Sequence, residues 1–151
     1  MEQNQINIVA NRKTVCTIHP NPTDGLTMAA KLKINEKIGY LAGNVAQKLY
    51  NSIIRDERGN ILYGNDGLMK RQLSADEAEE FKNTTKKFLT YIHSGHIKVD
   101  YDSLASLVNL NDDSIPHDTQ IDQCITFRKA INAAVEAANK ATSKDMSNGR
   151  E

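Results

Sequence analysis

Tryptophan is absent from this chain, aromatic residues make up only 5% of it, and it holds three prolines and two cysteines. A core without Trp must be mainly aliphatic, and with 39% apolar residues it is light for 151 residues. Cys16 and Cys124 each lie in a segment expected to be buried, so they read as reduced thiols behaving as small hydrophobes, with no disulfide. No apolar run approaches the roughly eighteen residues that mark a membrane span. The polar start, Met1-Glu2-Gln3-Asn4-Gln5, lacks the basic and apolar segments of a secretory signal, so a cytoplasmic location is expected. Charge of one sign is also missing: Lys plus Arg and Asp plus Glu stand at 19 each. That balance removes any global electrostatic argument for nucleic acid or an anionic membrane. Absent too is any complete catalytic or metal-binding signature, and no cofactor is expected. Without export, the acceptor pattern Asn83-Thr84-Thr85 reads as an exposed helix face.

What is present points to a single domain over 1–141 with a mobile tail over 142–151. Its most continuous feature runs from Leu26 to Arg55, free of proline, with Ile34, Ile38, Leu41, Val45, Leu49 and Ile53 at helical spacing. The spacing predicts a long helix over about 24–55, capped by Thr23 or Asp24. Before it, alternating β-branched residues about Asn11-Arg12-Lys13 predict a β-hairpin over about 5–18. A hairpin alone is marginal in water and needs a third strand or a helix to pack on. Ile61-Leu62-Tyr63, bracketed by two glycine turns, is the preferred third strand; a protruding loop there is the alternative, and Ile97-Lys98-Val99 is a further strand candidate.

Ser74-Ala75-Asp76-Glu77 is a capping box, and the helix it opens, about 75–94, carries Ala78, Phe81, Thr85, Phe88 and Ile92 on one face and stops at Gly95. A short helix over about 102–109 follows, capped by Asp100 or Asp102. Ser114 and Pro116 then start a second long helix over about 115–141. The fold class is therefore mainly α with a minor β element (α+β): two long packed helices, two shorter ones and a small antiparallel sheet.

Gly39 and Gly43 are the residues most in need of explanation. Each glycine inside a helix costs about 1 kcal/mol relative to alanine, so the pair needs something to offset it. With Ala46 and Tyr50 they form a face on which another backbone can approach closely, an interface candidate. The preferred partner is the alanine-rich side of the C-terminal helix, ahead of another subunit. Lys70, Arg71, Lys82, Lys86 and Lys87 form a basic set that reads first as a solvated face and second as a phosphate track. His93, His96 and Asp100 are a weak metal candidate, with helix-end and turn roles as the plainer reading. Cys16 with His19 lacks the geometry of a nucleophile and base on one strand. Asp56, Asn60 and Asp66 miss the order of a calcium loop because Arg58 stands at the second ligand position. These features favour a non-enzymatic assembly or interaction protein, acting as a homo-oligomer, with phage or mobile-element accessory proteins as a compositional analogy. A nucleic-acid accessory protein and a small metal-dependent enzyme are the alternatives.

Overall fold

The computed structural model describes residues 5–22 and 24–150, with side chains as far as residue 143. The N-terminal hairpin pairs β1 (Ile6–Ala10) with β2 (Lys13–Ile18) through the two-residue turn Asn11-Arg12. Both turn residues have positive φ, 50° and 65°, the backbone that matches the right-handed twist of flanking strands. Ile8 pairs with Cys16 but Val9 pairs with Thr14, so Val15 is an extra residue in β2. Strict alternation would put Val15 and Cys16 on opposite faces; the bulge lets both be buried.

The third strand is β3 (Ile97–Val99), antiparallel to β2 with Ile18 opposite Ile97 and Cys16 opposite Val99. Of the two strand candidates, Ile61-Leu62-Tyr63 is thus not the one that completes the sheet. Gly95 explains the choice: at φ 90° it ends the preceding helix in the left-handed conformation and turns the chain straight back beside β2.

Helix α1 spans Met28–Asn51, shorter at both ends than the sequence suggests. Thr27 caps it, accepting from the Ala30 amide at 3.2 Å. Asp24 is not the cap, because residues 24–26 first cross the end of the next helix; Thr23 lies outside the described residues. At that crossing the Leu26 amide donates to the His93 carbonyl at 2.9 Å, and a Cβ on Gly25 would stand 2.7 Å from the same oxygen. At the other end Ser52 closes the helix, so Ile53 leaves the apolar stripe. Ile38, Leu41, Val45 and Leu49 are buried as that stripe requires.

Helix α2 (Ala75–Ser94) opens on the capping box: the Ser74 amide donates to the Glu77 carboxylate at 2.9 Å, and the Glu77 amide to Ser74 Oγ at 3.1 Å. Helix α3 (Tyr101–Ala105) is capped by Asp100, which accepts from the Ser103 amide at 3.2 Å. Helix α4 runs from His117 to Arg150, so the helical backbone continues past the boundary expected at Ala141. Arg128, the polar interruption of its apolar stripe, places Nη2 3.8 Å from the Glu77 carboxylate and so ties α4 to the start of α2.

Helices α1, α2 and α4 pack against one another, and the sheet lies against α2 and α4. Phe88, Phe127, Leu49, Leu73, Ile131 and Leu107 are the large side chains at the centre. Ala130, Ala134 and Ala138 are buried, letting α4 approach its neighbours closely. Among the described residues no helix is long and apolar enough to cross a membrane.

Between α1 and α2 the chain makes an arm, residues 53–71, whose base is held by the Gln72 amide donating to the Ser52 carbonyl at 2.9 Å. Bridges join Ile53 to Arg71, Arg55 to Ile61, and Tyr63 to Met69. The two hairpins share one design. In each, a turn closes on a glycine at positive φ, Gly59 at 87° and Gly67 at 81°, the left-handed position of a three-residue hairpin loop. Their amides donate back to the Asp56 and Gly64 carbonyls at 3.0 Å each. Where the hairpins meet, the amide of Ile54 donates to the carbonyl of Lys70, Lys70 to Leu62, and Leu62 back to Ile54, at 2.9, 2.8 and 3.1 Å. The three form a closed ring, eight residues apart along the chain. No residue of the arm belongs to the main core.

Candidate functional site

Gly39 and Gly43 are exposed on α1, and a Cβ built on either meets nothing within 4 Å. The alanines of α4 therefore do not cover them, contrary to the preferred expectation; Ala130, Ala134 and Ala138 are spent on the core. The glycines instead line an open groove of about 420 Å³ between α1 and α2. Helix α1 contributes Gly39, Ala42, Gly43 and Ala46, and α2 contributes Ala78, Phe81 and Thr85, with Lys82 and Lys86 as the charged members of the lining. Thr85 Oγ1 donates to the Phe81 carbonyl at 2.9 Å, so the hydroxyl is satisfied within its own helix and the floor is effectively apolar.

The groove joins two candidate sets and divides each. Gly39, Gly43 and Ala46 lie together, but Tyr50 belongs to the base of the arm, where the Arg71 guanidinium stacks 4.6 Å from its ring centre and donates to its carbonyl at 2.8 Å. Arg71 and Lys70 belong to the arm and do not line the groove with Lys82 and Lys86, and Lys87 is exposed on α2 outside the groove lining. Ala78 and Phe81, the opposite wall, appear in the sequence only as core positions of α2. The signal that a groove exists was the glycine pair; the identity of its second wall depends on which helix packs beside it.

The remaining candidates have structural partners. His93 Nε2 lies 2.7 Å from Asn35 Oδ1, His96 Nδ1 lies 2.7 Å from Ser94 Oγ, and Asp100 caps α3. Among the described residues no three His, Cys, Asp or Glu side chains gather to hold a metal ion. Burial, with Lys31 nearby, holds the His93 pKa below its ordinary value. His19 Nε2 is 3.1 Å from Thr17 Oγ1, and burial with Lys98 nearby lowers its pKa also. The Cys16 thiol is pushed up to about 12, by burial first and by the Asp100 carboxylate second, so it is protonated and unreactive at neutral pH. Asp56 accepts from the amides of Arg58 and Asn60 at 2.9 Å each, and Asp66 from the Leu68 amide at 3.0 Å. Both carboxylates hold the arm's turns in shape.

A second cleft, about 340 Å³, lies where the start of α1 meets β3 and α3. Leu26, Ile34, Ile97 and Tyr101 line it with Lys33, Lys37 and Lys98, and the Lys37 ammonium sits 4.7 Å from the Tyr101 ring centre. No sequence pattern marks it, because its lysines come from two distant segments. Comparison with known protein families, with curated proteins and with solved structures found no match.

Proposed function

We propose that this protein works through protein contacts, without catalysis, as a self-associating assembly or accessory component, and that the groove between α1 and α2 is its contact surface. The observation that carries this reading is the open floor at Gly39 and Gly43. Two helix-weakening residues stand where the chain's own fold puts nothing against them. An apolar channel with a charged rim resembles the buried centre and polar edge of protein interfaces. Division of the basic set favours protein over nucleic acid as the partner, since Arg71 is engaged with Tyr50 and only Lys82 and Lys86 of the set line the groove. Molar mass by light scattering across the micromolar range tests the proposal. The expected result is a mass above one chain that falls on dilution; a single-chain mass at every concentration overturns it.

A further inference from the structure

On that reading, we infer that the occupant of the groove is the arm of a second copy of this chain, seated through its outer hairpin, Tyr63 to Met69. Tyr63 and Met69 expose 60% and 37% of their surface on one face of the outer hairpin, and Leu68, next to Met69 on the strand and so on the opposite face, exposes 67%. Clustered exposed apolar surface marks an interaction site where scattered single residues do not. Tyr63 and Met69 are directly bridged, which places their side chains on one face of the hairpin.

Charge points the same way. Asp66 is the single charged residue between Tyr63 and Met69, whereas the charged residues lining the groove are Lys82 and Lys86. An apolar tip carrying one carboxylate thus meets an apolar floor carrying two ammonium groups. The arm is also a prepared ligand: its ring of hydrogen bonds and its two glycine turns fix the backbone before contact, which lowers the ordering cost of binding. No arm residue lines the groove of its own chain. Because arm and groove are different surfaces, two copies satisfy both only by exchanging arms about a twofold axis; otherwise the contact repeats into a ring or filament.

The test uses the full chain and four variants, each checked for an unchanged circular dichroism spectrum. Gly43→Leu adds bulk to the groove at a position where a Cβ meets nothing within 4 Å, and Tyr63→Ser removes apolar surface from the bridged face of the tip. Each is expected to weaken self-association about tenfold or more, the scale for losing a central interface contact. Asp66→Lys is expected to weaken it as well, and combining it with Lys82→Glu and Lys86→Glu to restore most of the loss. Association of the unaltered chain that none of these substitutions changes overturns the arm as occupant and leaves self-association standing. A chain that never associates overturns both.

Discussion

At the residue scale, two buried thiols and two shielded imidazoles make measurable statements about the fold. Cys16 and Cys124 are buried, and burial raises the pKa of each thiol, so neither presents a thiolate at neutral pH. A thiol-specific reagent at neutral pH is expected to leave the native protein unlabelled over minutes and to label both positions once denaturant is added. His19 and His93 titrate below their ordinary value of 6.5 because burial disfavours their charged forms. With the folded pKa below the unfolded one, the unfolded chain takes up protons first as the pH drops. Stability from these groups is therefore complete above about pH 6.5 and declines as the pH falls through the folded values. Thermal melts at about pH 7.5 and about pH 5.5 should show a lower midpoint at the acidic pH, with a smaller difference in His93→Gln. The burial of the cysteines was legible because Cys16 sits in a β-branched strand and Cys124 on the apolar stripe of its helix. The shielding of His93 was not, since its partner Asn35 lies on another helix.

At the element scale, what could be read was whatever a segment decides for itself. Ser74 and Glu77 complete their box with four residues of sequence, and Gly95 stops the same helix through its own backbone, so both ends of α2 were legible. Ser74→Ala is expected to destabilise the protein by about 1 kcal/mol, read from denaturant unfolding. Gly95→Ala should cost more, because a Cβ there would collide with the Asp24 carbonyl in addition to the strain of φ 90°. Where the decision was tertiary, the reading fell short. Helix α1 starts at Thr27 because residues 24–26 are held against the end of α2, a contact that no helical periodicity contains. Ile61-Leu62-Tyr63 looks as strand-like as Ile97-Lys98-Val99, and only the return path at Gly95 tells which pairs with β2. The groove followed the same division: the glycines on α1 announced it, and α2 supplied its other wall in place of α4.

At the scale of the whole molecule, the arm lies outside the core, with its base beside the start of α4 and its Arg71 held by Tyr50 of α1. None of residues 53–71 contributes to the main core, and the base of the arm is already closed by the Gln72 to Ser52 hydrogen bond. Replacing residues 53–71 with a short Gly-Ser linker is expected to leave the circular dichroism spectrum and the melting midpoint nearly unchanged, while self-association disappears if the arm is the occupant. Survival of association in that variant would locate the contact elsewhere on the molecule. The ring formed by Ile54, Leu62 and Lys70 carries its own consequence. Each of its amides is bonded to the carbonyl of another member of the ring, so an opening of the whole arm frees all three together. In deuterated solvent the three amides should share one protection factor, lower than those of Phe88 or Ile131, recording a single opening of the arm while the core stays shut.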